Sequence, residues 1–287
     1  MTYSRPITEI ISQRFSCRTY SRQPIPEEKR WLLGETVDAL RVGPLGSALR
    51  FCLVASAEGD SAALKGLGTY GFIRNPGGFL IGAAVPGEKY LEDFGCAMES
   101  LVLSATDLGL GTCWLGGSFR RGSFSHRIEL TKVERIPAVA SVGVIEDAAA
   151  ARSGAIRRLA GGERRLPWES LFHDGGFGVP LSREAAGPFA TALENVRVAP
   201  SGSNKQPWRV MREGRNWHFF LRRTSGYNGL GGKLFKVEDL QRVDIGIAMC
   251  HFQLTVEELG LGAGWAVQPP RVRLPDRLTE YVVSWEG

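Results

Sequence analysis

An internal repeat constrains this chain more than any other feature of its sequence. Residues 93–111 align without a gap on residues 244–262, at an offset of 151 (244 − 93), and both segments end in Gly-Leu-Gly. Trp114 and Trp265 then fall in the same register. A period of this length is typical of a duplicated domain, because solenoid repeats are much shorter.

A second match supports the duplication. Residues 41–47 align on residues 197–203 at an offset of 156 (197 − 41), in the same order and at nearly the same spacing as the first match. A few residues were therefore gained or lost between the two matches. We expect two similar halves, residues 1–165 and 166–287.

Each half is expected to mix helices and strands without regular βαβ alternation, which indicates the α+β class with two mixed sheets flanked by helices. Apolar periodicity and end signals predict a short helix near residue 13 and longer helices over 26–41, 89–108, 182–198 and 238–259. The predicted strands cover 50–55, 79–85, 112–115, 138–144, 208–212, 217–222, 264–267 and 280–284. Small residues in the two long central helices predict close packing about a pseudo-twofold axis, at Gly95, Ala97, Gly246 and Ala248.

Composition excludes several classes of protein. No stretch approaches the roughly 18 apolar residues that a membrane span needs, and residues 1–10 lack the pattern of a secretory signal. The five cysteines form no Cys-x-x-Cys pair and the four histidines lack ligand spacing, so neither a disulfide framework nor a metal site is expected. A reducing cytoplasm is the expected location. The net charge of +5 comes from scattered residues, so we expect a small phosphorylated ligand rather than nucleic acid.

Two polar segments are candidates for a binding site, one in each half. Arg14 and Arg18 flank Ser16, and two guanidinium groups with a hydroxyl suit a terminal phosphate. Residues 199–208 supply groups that suit the edge of a heteroaromatic ring, from Ser201, Asn204 and Gln206. Either segment taken alone is more typical of an ordinary surface loop.

Together with the end of the first long helix, these segments closely resemble the nitroreductase family of FMN-dependent oxidoreductases. The matching motifs are Arg-x-Ser-x-Arg-x-aromatic at 14–20, Ala-Pro-Ser-x-x-Asn-x-Gln-Pro-Trp at 199–208, and Asp-x-Gly-x-Ala-Met-Glu at 93–99, which leads to Gly-Leu-Gly-Thr-Cys-Trp at 109–114. Family members are usually homodimers with two FMN sites at the interface. This chain resembles the single-chain subgroup in which both subunits are fused, which implies a monomer that acts as a pseudo-dimer.

The resemblance implies that both halves contact FMN. The phosphate would be held by Arg14, Ser16, Arg18 and Arg165, with Arg164 as a weaker candidate. The isoalloxazine and ribityl groups would contact Pro200, Ser201, Asn204 and Gln206, and would lie beside Leu115, Gly116 and Gly117, with a backbone N–H near flavin N5. No side chain is expected to act as a nucleophile. Two positions depart from the family pattern, Ser100 where Asn is common and Glu163 where a basic residue is common.

The equivalent segments in the opposite halves lack these groups. Residues 173–180 contain no Arg-x-Ser-x-Arg, and residues 44–51 contain neither the Asn nor the Gln-Pro-Trp. A phosphate without arginines recovers little of its desolvation cost, and each unpaired polar group at the ring edge costs roughly 1–3 kcal/mol. One working FMN site per chain is therefore expected.

The resemblance implies an enzyme with ping-pong kinetics. NAD(P)H would pass hydride to FMN and leave, and an acceptor would take its place. The acceptors implied are nitroaromatics, quinones and related small molecules, with carbon–halogen or enone substrates as further options. Two alternatives remain: a protein that stores or senses FMN with little turnover, and a scaffold in which both sites are lost.

Two glycine-rich segments are interpreted as loops. Residues 66–71 match G-x-G-x-x-G, but the following Phe-Ile-Arg-Asn-Pro-Gly-Gly cannot begin a helix, so the dinucleotide-binding interpretation fails. A loop that borders the acceptor pocket is expected instead. Residues 226–232 are expected to form another mobile loop.

Overall fold

Each half of the molecule contributes one sheet and one long central helix. The computed structural model describes residues 2–57, 62–146, 164–226 and 238–287. The first half contains helices α1 Ile7–Gln13, α2 Glu27–Ala39, α3 Tyr90–Asp107 and α4 Arg121–Arg127. Its strands are β1 Leu49–Ala55, β2 Gly78–Ala84, β3 Leu110–Leu115 and β4 Val139–Val144.

The sheet of the first half has the strand order β1-β2-β4-β3, and its strands pair antiparallel. β3 lies at one edge, and Ser16 extends this edge through a parallel bridge to Thr112. The sheet therefore ends beside the loop that carries the N-terminal arginines.

The second half has a mixed five-stranded sheet. Its helices are α5 Trp168–Leu171, α6 Arg183–Ala186, α7 Ala190–Val198 and α8 Leu240–Glu258. Its strands are β5 Phe172–Asp174, β6 Trp208–Glu213, β7 Asn216–Arg222, β8 Gly264–Ala266 and β9 Thr279–Glu286. In the order β5-β6-β7-β9-β8, the β5–β6 pair is parallel and the others are antiparallel.

The α+β class and the longer elements agree with the sequence predictions. One helix differs: the continuous helix predicted over 182–198 is divided into α6 and α7. Gly187, with φ 55°, and Pro188 interrupt it, because proline has no N–H for the helical ladder. The unpredicted elements α4, α5 and β5 are too short to show periodicity.

The two long helices pack against each other at their glycines. A Cβ added to Gly95 would lie 2.2 Å from the carbonyl oxygen of Val243, and one added to Gly246 would lie 2.1 Å from that of Glu92. The predicted close approach is therefore confirmed at these two equivalent positions. α3 is buried on nearly all sides rather than on one apolar face, because helix and sheet both cover it.

The N-terminal helix packs against the other half of the chain. Ile7, Ile10 and Ile11 belong to the same apolar core as residues of α7, α8 and the second sheet. This packing brings the loop after α1 next to the second half. Within the described segments, no helix has both the length and the apolar character to cross a membrane.

Candidate functional site

One cleft contains polar groups from both halves of the chain. We call its first part, about 620 Å³ in volume, the arginine chamber, and its lining includes Arg14, Ser16, Arg18, Arg165, Pro200, Ser201, Ser203 and Asn204. We call the second part, about 300 Å³, the glycine chamber, and its lining includes Trp114, Gly116, Gly117, Gly202, Leu240 and Asp244. The chambers adjoin, because both are lined by Ser16, Arg18, Pro200, Ser201 and Ser203. The two candidate segments thus face one cleft.

Strand β3 positions the loop that carries the arginines. The chain leaves α1 in an extended conformation at Arg14. Ser16 then bridges to Thr112, whose carbonyl accepts a hydrogen bond of 2.8 Å from the Cys17 N–H. A Cβ at Gly111 would lie only 3.1 Å from the Cys17 sulfur, so glycine at this position lets the loop approach the strand closely.

A buried carboxylate lies behind Arg14. The Glu99 Oε1 is 3.8 Å from Nε of Arg14 and 2.9 Å from Nε2 of His251, and its Oε2 accepts a hydrogen bond of 2.7 Å from the Trp114 indole. The other ring nitrogen of His251 lies 2.9 Å from the Asn195 carbonyl oxygen. His251 is fully buried within α8, and the Glu99 carboxyl lies between its ring and the buried arginine. Sequence reasoning missed this role of Glu99, although the residue closes the quoted 93–99 motif.

The arginine chamber carries excess positive charge. Nη1 of Arg165 donates a hydrogen bond of 2.9 Å to Oδ1 of Asn204. Arg197, which sequence reasoning did not select, is neutralised by Glu194 at 2.5 Å. Arg18 forms no ion pair with any of the described residues. The chamber can therefore accept an anionic group with several charge-assisted bonds.

The polar segment of the second half has an unusual backbone. Ser203, Asn204 and Gln206 have φ values of 50°, 53° and 48°, in the left-handed region that few residues other than glycine adopt. The Gln206 N–H donates a hydrogen bond of 2.9 Å to Oγ of Ser201, which fixes the turn. Such conformations cost about 1–3 kcal/mol each and cluster at functional sites.

Three predicted contacts lie outside the lining of both chambers. The Gln206 side chain is buried, where its Oε1 accepts a hydrogen bond of 2.8 Å from the Leu166 N–H and its Nε2 donates to the Arg164 carbonyl at 3.3 Å. The Arg164 side chain is exposed, and Leu115 is buried within β3. Asn204 lies in the arginine chamber, with its amide bonded to Arg164 and Arg165 rather than facing a ring edge. The hydrogen bonds of Asn204 and Gln206 therefore hold residues 164–166 against the polar segment of the second half.

Equivalent aspartates anchor equivalent loops in the two halves. The Asp93 carboxylate accepts hydrogen bonds from the N–H groups of Leu45 (2.6 Å) and Ser47 (2.8 Å). Asp244 accepts one from the N–H of Gly202 (2.9 Å). Its buried Oδ2 has no hydrogen-bond partner among the described residues, although Asp244 lines the glycine chamber. Sequence reasoning did not select Asp244, and its alignment with Asp93 is the signal that could have done so.

Burial raises the pKa of Asp244 from 3.8 to about 8; the Gly202 N–H acts in the opposite direction, and the nearby Asp239 adds to the increase. Asp244 is therefore largely protonated in the folded protein at neutral pH. A protonated carboxyl is a hydrogen-bond donor as well as an acceptor. The lining of the glycine chamber thus includes a carboxyl group that burial favours in its neutral form.

Between pH 4 and 8, we expect the free energy of unfolding to fall less steeply with rising pH in Asp244→Asn than in the wild type. A carboxyl with a raised folded-state pKa ionises more readily when the chain unfolds, so the native state becomes less stable through this window. One such group contributes a slope of at most about 1.4 kcal/mol per pH unit. Denaturant unfolding of ligand-free protein at several pH values measures the slope. Asp38→Asn, at an exposed position of α2, controls for the loss of one carboxyl; equal slopes in wild type and Asp244→Asn would contradict the expectation.

A further cavity occupies the position equivalent to the glycine chamber. It has a volume of about 650 Å³ and is lined by Pro44, Leu45, Gly46, Ser47, Glu88, Lys89, Trp265, Ala266 and Val267. Its described lining contains no arginine, and Nζ of Lys89 donates a hydrogen bond of 2.9 Å to the Val282 carbonyl. The cavity is poorly suited to a phosphate.

The 66–71 segment forms a loop, as interpreted from the sequence. Tyr70 has a φ of 49°, and Gly66 and Gly71 also have positive φ values, so the backbone turns where a dinucleotide-binding motif would begin a helix. The segment lines neither chamber. Residues 227–232 of the other glycine-rich loop lie outside the described residues.

Comparisons with known proteins agree with this architecture. The structure is similar to that of a "putative nitroreductase" from Thermotoga maritima MSB8, with a TM-score of 0.62 and 18% identity, over 100% of this chain and 95% of that one. A nitroreductase family protein from Clostridium novyi NT has a TM-score of 0.39 and 21% identity, over 50% of this chain and 88% of that one. A nitroreductase with bound FMN from Bacteroides fragilis NCTC 9343 has a TM-score of 0.38 and 20% identity, over 50% and 89%.

No curated protein matches the sequence. The model of the family described as "Putative TM nitroreductase" matches residues 6–256, which is most of the chain. This match includes both halves of the cleft. The chain therefore belongs to the nitroreductase family.

Proposed function

We propose that this chain is an FMN-dependent oxidoreductase that uses NAD(P)H to reduce a nitroaromatic, a quinone or a related small acceptor. The observation that carries the proposal is the single cleft. Its arginine chamber contains the residues expected to hold a phosphate, and its glycine chamber contains the amides expected beside a flavin ring. Family membership supports the same chemistry.

The residues of the cleft fit an FMN phosphate. Arg14, Arg18 and Arg165 provide three guanidinium groups around one chamber, and Ser16 adds a hydroxyl. Glu99 keeps Arg14 in place from behind, at 3.8 Å. Guanidinium groups can donate paired, charge-assisted hydrogen bonds to a phosphate. We therefore expect these four residues to hold the nucleotide end of the cofactor.

The glycine chamber is suited to hold a flat ring against backbone. A Cβ at Gly116 would lie 2.4 Å from the Leu240 side chain, so a larger residue there would have to displace another residue that lines the chamber. Gly202 and Asp244 form another part of the lining and are joined by a hydrogen bond. When bound, FMN would supply hydride transfer between NAD(P)H and the acceptor. The side chains orient the cofactor and exclude water, and no protein nucleophile is needed.

We further propose that residues 1–165 and 166–287 are fused equivalents of two subunits, and that the chain acts as a monomer with one working site. The alignment of Gly95 with Gly246, and of Asp93 with Asp244, supports the fusion. The cavity beside Lys89 supports a single site, because its described lining lacks arginine whereas the equivalent glycine chamber is lined by Arg18. The cytoplasmic location stays a prediction from the cysteine content.

Reconstitution with FMN is expected to give one flavin per chain. Absorbance after flavin release measures the ratio, and a ratio near two would contradict the single-site proposal. Oxidation of NADH or NADPH in the presence of a nitroaromatic or a quinone then tests the activity. A protein that binds FMN but is not reduced by either nicotinamide would instead support the storage or sensing alternative.

A further inference from the structure

A separate cavity in the second half has a positively charged wall. It has a volume of about 370 Å³, and its lining includes His173, Phe177, Arg209, Arg222 and Thr279. None of these residues lines the arginine or glycine chamber. The cavity is therefore distinct from the cleft to which we assign FMN.

The outer face of the second sheet forms the floor of this cavity. Trp208 faces the apolar core, so the next residue, Arg209, lies on the opposite face of β6. Arg222 pairs with Thr279 at the adjacent β7–β9 edge. These positions place two guanidinium groups beside one cavity, in a half of the chain that lacks the Arg-x-Ser-x-Arg motif.

The segment after β5 forms the wall. Phe177 packs edge-to-face on Phe220, with ring centroids 4.9 Å apart, and lies 5.2 Å from the His173 ring. The Asp174 N–H donates a hydrogen bond of 2.9 Å to the Val179 carbonyl, which closes the turn. One wall of the cavity is therefore aromatic, whereas the opposite side is cationic.

Arg209 forms no direct ion pair with a carboxylate among the described residues. Its Nη1 donates hydrogen bonds to the carbonyls of Gln206 (3.2 Å) and Trp208 (2.5 Å). Arg222 forms an ion pair of 3.3 Å with the partly buried Asp276, which also accepts hydrogen bonds from the Leu278 N–H (3.0 Å) and the Thr279 hydroxyl (2.8 Å). Burial, followed by the charge of Arg222, lowers the pKa of Arg209 to about 10. Two guanidinium groups therefore lie near a single carboxylate, that of Asp276, and only Arg222 pairs with it directly.

His173, which lines this cavity, has an unsatisfied ring nitrogen. The residue is only 9% exposed, and its buried Nδ1 has no hydrogen-bond partner among the described residues. Burial, Arg209 and Arg222 all lower the pKa of His173. Buried polar atoms normally have partners, and this one belongs to a residue that lines the cavity together with the two arginines.

We propose that this cavity binds a small organic anion, with its carboxylate or phosphate oxygens on Arg209 and Arg222 and its apolar part against Phe177. Both groups share the oxyanion geometry that a guanidinium binds through paired hydrogen bonds. The volume of about 370 Å³ is within the range of sites for small ligands. The proposal does not depend on the proposed flavin function.

Calorimetric titration of the full-length protein with benzoate, and separately with inorganic phosphate, at low ionic strength tests this site. Besides any binding of phosphate in the arginine chamber, we expect one saturable site for at least one probe. Tighter binding of benzoate would identify a carboxylate with an apolar group as the preferred ligand, and tighter binding of phosphate would identify a phosphate group. Arg209→Gln should weaken binding by about tenfold or more, because it removes a charge-assisted contact.

Two control variants locate the anion. Arg215→Gln, at an exposed position in the β6–β7 turn, removes the same charge outside the cavity and should leave the affinity unchanged. Arg14→Gln should also leave this binding intact, because Arg14 lies in the other cleft. If Arg209→Gln does not fold, Arg222→Gln, at an exposed strand end, replaces it. Lack of saturable binding of both probes, or loss of binding in Arg14→Gln but not in the cavity variants, would overturn the proposal.

Discussion

Replacing both Arg14 and Arg18 with glutamine is expected to reduce FMN affinity by about 10²–10⁴-fold. Each hydrogen bond to a charged group contributes about 1.5–3 kcal/mol, and 1.4 kcal/mol corresponds to a tenfold change in affinity. Both arginines line the arginine chamber, and Arg18 forms no ion pair with a described residue that would hold it away from a ligand. Titration of the ligand-free protein by quenching of flavin fluorescence measures the dissociation constants.

Arg22→Gln is the matched control for this experiment. Arg22 is exposed, lies four residues after Arg18 and lines neither chamber. Its replacement removes one positive charge from the same region, so any long-range electrostatic effect appears in the control. An equal loss of affinity in the control and in the double variant would argue against direct contact between the two arginines and the phosphate.

Gly246→Ala is expected to destabilise the protein by about 3 kcal/mol or more. The added Cβ would lie 2.1 Å from the carbonyl oxygen of Glu92 and 2.8 Å from the Cys96 nitrogen. Both are backbone atoms of α3, so no side-chain rotation can relieve the contact and the two long helices must separate. Overpacking of a rigid core typically costs about 1–3 kcal/mol and occasionally more. Denaturant unfolding of the ligand-free protein measures the change.

The same substitution at another helical glycine, Gly34→Ala, is expected to stabilise the protein. Gly34 lies within α2, and a Cβ there would meet no atom within 4 Å. Alanine should stabilise this helix by about 0.5–1 kcal/mol, because glycine loses more backbone entropy on folding. If both variants shift the unfolding midpoint alike, the close approach of α3 and α8 does not exist in solution.

Much of the fold can be predicted from the sequence because the long elements repeat. The glycines at 95 and 246 stand out as equivalent positions in the alignment, and the structure places both at the contact between α3 and α8. Local breaks are harder to predict. Gly187 and Pro188 divide a helix whose apolar periodicity is otherwise continuous, since one missing N–H overrides the pattern.

The candidate site is less completely predictable. Arg14 and Arg18 are found from a local motif, whereas the contact between Glu99 and His251 joins residues 152 positions apart and has no local signal. Gln206 shows a second limit. Its residue type suits a ligand, but its buried amide bonds to Leu166 and Arg164, and only the folded chain shows which partner it takes.

The contact between Glu99 and His251 has no counterpart at the equivalent positions of the repeat. In the repeat register, Glu99 corresponds to Cys250 and Ser100 to His251, so the mirrored pair is a thiol and a hydroxyl. In an assembly of identical subunits, every substitution appears twice, and a costly buried carboxylate must be tolerated in both places. In this single chain, a substitution alters one of the two equivalent positions and leaves the other unchanged. The molecule can therefore keep an acidic side chain next to Arg14 and have a thiol at the equivalent position of the other half.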